Sequence, residues 1–132
     1  MKQVVQLCYD ESIMLLADEV YQANIFDKEA KPFISFKKVL REMDKEVAES
    51  VELVSFHSIS KGFSGECGRR GGYFEAVNLR DDVMEQIYKM ASVSLCPPIT
   101  GQVSQSSAIL PLSPCPRREP SSLVATETFV QS

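Results

Sequence analysis

Three places in this chain carry side chains whose chemistry could matter from a loop or a strand end. Asp18 closes an apolar run and precedes Tyr21 by three residues; Lys61 sits in a stretch rich in Ser and Gly; Arg69 and Arg70 are adjacent and flanked by glycines. A lysine amine is a nucleophile or base, and a guanidinium is a planar fork for phosphate or carboxylate. Each also has a plain structural reading. An aspartate after a strand caps or forms a turn, a tyrosine packs with its hydroxyl satisfied locally, a loop lysine is solvated, and an arginine pair is surface charge. Known loop signatures do not decide between these readings. Gly65, Gly68 and Gly71 give GxxGxxG, which is neither the phosphate loop GxxxxGK followed by Ser or Thr nor the dinucleotide GxGxxG. His57 is the only histidine, and Cys8, Cys67, Cys96 and Cys115 form no CxxC pair. A structural zinc site, which needs ligands in tight pairs, and a Ser-His-Asp hydrolase are therefore not the expected readings, no metal is expected, and the cysteines read as reduced thiols.

These residues need elements to hold them. Residues 2–12 place Val4, Val5, Leu7 and Cys8 at helical spacing. Ile13 to Ala17 is a short, wholly apolar run that predicts a buried, parallel strand. Ser35 is placed as the N-cap of a helix over 36–43, with Phe36, Val39, Leu40 and Met43 on one stripe. Residues 51–56 return to strand character. Residues 57–72 hold five glycines and cannot be regular structure. Tyr73 to Val77 is a strand, and 80–94 forms a helix with Asp81 and Asp82 in its first turn, ended by Pro97 and Pro98. The order α-β-α-β-β-α argues for an α/β sheet with helical crossovers. From 104 to 132 the composition turns to Pro and Ser, with four of the seven prolines, and reads as a disordered tail.

The whole chain, 132 residues with a formal charge of -4, suits one small domain. The mildly acidic balance argues against a general nucleic-acid binder. No apolar run approaches the about 20 residues that a membrane span requires. The N-terminus MKQVVQLCYDES has no signal-peptide pattern, so a cytoplasmic protein is expected, or a mitochondrial one if a targeting segment lies upstream.

Taken together, SISKGFSGECGRRGGYFE at 58–75, ADEVYQ at 17–22, PFISFKKVLREM at 32–43 and SLCPPITGQ at 94–102 resemble one family. The resemblance is to the fold-type I pyridoxal-phosphate aminotransferases, and within them to the alanine aminotransferase (glutamate–pyruvate transaminase) group. It covers residues 1 to about 103 and implies an α/β fragment of the large cofactor-binding domain, with a mostly parallel sheet. It also implies transfer of an amino group between L-alanine and 2-oxoglutarate, pyridoxal 5'-phosphate as cofactor, an amino acid and a 2-oxo acid as small-molecule partners, and a homodimer.

By this resemblance Lys61 is the catalytic residue, joined to the cofactor aldehyde and then moving the proton from the substrate Cα, which it does only as a free amine. Asp18 would pair with the pyridine nitrogen, and Tyr21 would hydrogen-bond the 3-oxygen of the ring. Ser58 and Arg70 would bind the phosphate. The broader family pattern puts the phosphate arginine eight residues after the lysine, at Arg69, but the alanine aminotransferase form carries one extra residue in its GECG stretch, which moves the match to Arg70. Asp18 and Lys61 are then expected to face one cleft, with Ser58 and Arg70 side by side.

The family is several times longer than this chain. Its aromatic that stacks on the cofactor ring and its arginine that binds the substrate carboxylate have no counterpart here, and the 104–132 segment resembles no part of it. The expectation is a truncated product whose tail comes from an altered reading frame, a retained intron or a misjudged gene boundary. The competing function is therefore an inactive fragment that binds cofactor weakly or pairs with full-length subunits.

Overall fold

The computed structural model describes residues 1–62, 65–93 and 96–109. Chain order is α1 (Lys2–Asp10), β1 (Leu15–Asp18), α2 (Phe36–Arg41), α3 (Lys45–Ser50), β2 (Leu53–Ser58), a 3-10 turn (Cys67–Arg69), β3 (Gly72–Val77), α4 (Asp81–Ala91) and α5 (Ile99–Ile109). Local chemistry sets most boundaries. α1 ends where Ser12 takes a left-handed φ of 52° and the Ile13 amide donates to Cys8 O at 2.9 Å, the six-to-one closure of a helix C-terminus. α2 begins where the Ser35 Oγ accepts from the Lys38 amide at 3.1 Å.

The sheet has the order β1-β2-β3. β1 runs parallel to β2, with Leu15 opposite Leu53 and Asp18 opposite Phe56. The return between them passes through α2 and α3, as a parallel pair requires. β2 and β3 are antiparallel, from Leu53 opposite Val77 to Ser58 opposite Gly72. The sheet is thus mixed, with the expected parallel pairing on one side of β2 and antiparallel pairing on the other.

Period-two alternation divides the sheet into two faces. Ala17, Leu53 and Val77 join Val5 and Cys8 of α1, Val39 and Leu40 of α2, and Val47 and Val51 around α3 in the buried core. Leu16, Asp18, Val54, Phe56, Ser58 and Phe74 point the other way. Val54 and Phe74 are buried there but Leu16 is 62% exposed, so one face is the core and the opposite face is partly open.

α3 and α5 are additions to the expected order. α3 holds only Val47 and Ala48 buried, too few positions to show a period. α5 runs past the expected boundary at residue 103; residues 110–132, the rest of the expected tail, lie outside the described residues. The helix expected over 80–94 spans Asp81–Ala91, and its stripe residues Val83 and Ile87 are half-buried rather than buried. Among the described residues Cys8, Cys67 and Cys96 are free thiols; Cys115 lies outside them.

Candidate active site

The open face carries a groove of about 980 Å³. Its floor is apolar, from Leu16, Val54, Phe56 and Phe74, and α4 contributes Val83 and Ile87. Asp18, Ser58, Lys61 and Arg70 line the same groove. Asp18 is the last residue of β1 and Ser58 the last of β2, so the polar group gathers at the carboxyl ends of a parallel pair, where open α/β sheets bind ligands.

Each member is held by local geometry. The Ser58 Oγ accepts from the Ser60 amide at 3.1 Å, which tightens the exit from β2 and keeps the hydroxyl proton for another acceptor. Lys61 follows on an exposed bend. Gly62 has φ +71°, and a Cβ there would come within 3.3 Å of Val20 O, so the bend is pressed against the segment that leaves β1. That contact brings Lys61 to the end of the strand bearing Asp18. The loop then closes on itself: the Glu66 amide donates to Ile59 O at 2.9 Å, the Ile59 amide to Gly71 O at 3.1 Å, and the Cys67 thiol to Ser60 O at 3.0 Å. Arg70 leaves the 3-10 turn in a left-handed conformation, φ 49°, with Nη1 donating to Cys67 O at 3.2 Å.

The two arginines are placed differently. Arg69 donates from Nη1 to Ser104 Oγ on α5 at 2.7 Å and pairs with Glu66 at 3.6 Å, and the lining of the groove includes Arg70 but not Arg69. Tyr21 is not brought in: it lies in the turn after β1, 57% exposed, outside the groove lining.

Two aromatic residues border the site without a role in the sequence reading. His57 stacks on Tyr73, its cross-strand partner, with ring centroids 5.2 Å apart. Burial pushes the His57 imidazole below its ordinary value of 6.5, and the Asp18 carboxylate partly opposes this. Burial pushes the Tyr73 phenol up, with Glu75 and Glu19 acting the same way. Both side chains also border a second cavity of about 250 Å³ shared with Glu19, Ser55 and the Lys37–Glu75 ion pair. The Ser55 Oγ is buried there without a hydrogen-bond partner. The alternation of β2 and β3 could have flagged the His57–Tyr73 pair, once their register was known. Among the described residues no three His, Cys, Asp or Glu side chains are grouped to hold a metal ion.

The carboxylate, hydroxyl, primary amine and guanidinium over an apolar floor fit the cofactor that the resemblance implies, an aromatic phosphate ester that carries an aldehyde. Residues 1–110 match the family described as aminotransferase class I and II. The chain belongs to this aminotransferase family. Members of the family generally depend on pyridoxal phosphate. The chain is 54% identical over 103 residues to a protein of Dictyostelium discoideum named probable alanine aminotransferase, mitochondrial, covering 78% of this chain and 19% of that one. It is 50% identical over 113 residues to glutamate–glyoxylate aminotransferase 1 of Arabidopsis thaliana, covering 86% of this chain and 23% of the relative. Alanine aminotransferase 1 of Bos taurus is 52% identical over 113 residues, with the same 86% and 23% covered. This aminotransferase chain thus spans about a fifth of the length of the curated relatives it matches. Mitochondrial proteins are among those relatives, and no described helix is long and apolar enough to cross a membrane.

Proposed function

We propose that this chain supplies the cofactor-holding side chains of a pyridoxal-phosphate-dependent aminotransferase that moves an amino group between L-alanine and 2-oxoglutarate. The observation that carries the reading is the convergence of Asp18, Ser58, Lys61 and Arg70, from three separate segments, on one groove. The alanine aminotransferases among the relatives favour the substrate pair; a glutamate–glyoxylate enzyme of similar identity makes 2-oxo acids the shared chemistry. A cytoplasmic or mitochondrial setting and assembly as a homodimer belong to the same reading.

When bound, the cofactor supplies an aldehyde and an electron-withdrawing ring. This chain's residues then have separate tasks. Lys61 Nζ would hold the cofactor through its aldehyde, with loss of water, and as a free amine would take the proton from the substrate Cα. The Asp18 carboxylate would accept a hydrogen bond from a protonated ring nitrogen. The Ser58 hydroxyl and Arg70 guanidinium would hold the phosphate through charge-assisted hydrogen bonds. Leu16, Val54, Phe56 and Phe74 would supply the apolar floor of the cofactor's groove. Tyr21 lies exposed in its turn, outside the groove lining, and its role rests on the resemblance alone.

The test is covalent capture. Incubating the 132-residue chain with pyridoxal phosphate, reducing with borohydride and mapping the peptides should put the label on Lys61 and give a visible absorbance before reduction. Label spread over surface lysines, unchanged in Lys61→Ala, would sink the proposal.

A further inference from the structure

Two adjacent arginines pass the groove and only the second lines it, and α5 stands where it can make that choice. Gly101 on α5 is buried, and an ideal Cβ there would lie 2.5 Å from Arg69 O and 2.8 Å from Arg70 O. From the facing side, a Cβ on Gly71 would lie 2.7 Å from Ile59 Cδ1 and 2.9 Å from Gly101 O. Two glycines therefore let the helix and the arginine loop meet backbone to backbone, closer than any side chain permits. One turn further on, the Ser104 Oγ accepts from Arg69 Nη1 at 2.7 Å. With Arg69 tied to α5, the chain turns at Arg70 through a left-handed φ of 49°, a conformation that a residue with a Cβ keeps only when its surroundings hold it.

We propose that α5, through Gly101 and Ser104, is the positioning element of an anion subsite at Arg70, holding Arg69 away from the groove and fixing the backbone that delivers the Arg70 guanidinium beside Ser58. Neither residue would touch the anion. Gly101 sets the approach of the helix, and Ser104 occupies the competing arginine. The inference rests on the proposed function only for the identity of the anion, a phosphate ester; the subsite itself is probed with inorganic phosphate.

The experiment compares the unaltered 132-residue chain with Gly101→Ala, Ser104→Ala and Ser104→Thr. Inorganic phosphate binding is titrated by phosphorus NMR, and borohydride-fixed labelling of Lys61 is measured with pyridoxal phosphate and with pyridoxal, which lacks the phosphate. Gly101→Ala should weaken phosphate binding on the order of tenfold, the worth of one charge-assisted hydrogen bond. Ser104→Ala should weaken it by a smaller factor, and Ser104→Thr, which keeps the hydroxyl, should restore it. Labelling by pyridoxal should not change, whereas labelling by pyridoxal phosphate should fall in step with phosphate affinity. Equal losses for pyridoxal and pyridoxal phosphate would show that α5 merely supports the fold, and would overturn the inference. So would phosphate affinity indifferent to Gly101 and Ser104, or absent from the unaltered chain. If phosphate binding follows the expected pattern while Lys61 is never labelled, the cofactor reading falls and the positioning role stands.

Discussion

Among the groove residues, His57 is the one whose protonation the fold visibly disfavours, since burial outweighs the nearby Asp18 carboxylate. Its consequence for stability has a definite sign. The unfolded chain binds this proton near 6.5 and the folded chain only at lower pH, so between the two values the unfolded state holds more protons and stability rises with pH. The groups around the imidazole are Asp18 at the end of β1 and Glu19 just after it, Lys37 on α2, and Tyr73 and Glu75 on β3. Below pH about 5 the carboxylates begin to titrate as well. The melting temperature should therefore fall as pH drops from about 6.5 to about 5, and His57→Gln should flatten that stretch of the curve. A slope unchanged by the substitution, measured by calorimetry across that window, would assign it to other groups.

The elements differ in how far their own residues announce them. α2 is legible because its signal is local: a serine cap, an apolar stripe and a helix end within ten residues. Ser35→Ala removes the acceptor of the Lys38 amide and should lower stability by about 1 kcal/mol in denaturant unfolding, whereas Ser35→Thr should cost much less. The strands at 15–18, 53–58 and 72–77 are legible from apolar character, although each is offset by a residue or two from its expected span. α3 and α5 are not legible. A helix with two buried residues shows no period, and α5, with Gly101 in its first turn, owes its place to the backbone of Arg69 to Gly71 rather than to an apolar stripe. The site divides in the same way. Asp18, Tyr21, Ser58, Lys61 and Arg70 read as a set only through resemblance, since each alone reads as a cap, a turn, packing or surface charge. The structure adds the geometry that spacing could not supply: Gly62 pressed on Val20, and Arg69 drawn away by Ser104.

At the scale of the whole molecule, the two faces of the sheet are unequal, and that inequality bears on turnover. α1 to α3 cover one face with the core, while the other presents Leu16 and Phe56 to the groove and the side chains of Asp18, Ser58, Lys61 and Arg70 at its end. Among the described groove residues Arg70 supplies the single guanidinium, and in the proposed reading the phosphate ester takes it. A substrate carboxylate then meets no second guanidinium there to fix the direction of its Cα–H bond. Orientation of this kind contributes several kcal/mol to a barrier, on the order of a thousandfold or more in rate. Attachment at Lys61 asks only for a reachable amine, whereas transamination asks for an aligned substrate, so the two should separate in this chain. We expect the 132-residue polypeptide with pyridoxal phosphate to be labelled at Lys61, yet to convert alanine and 2-oxoglutarate no faster than free cofactor with a lysine analogue. A coupled assay for pyruvate decides it. A rate well above that control, and abolished in Lys61→Ala, would mean that side chains of this fold other than Arg70 orient the substrate, and the groove would have to be reread as a complete active site.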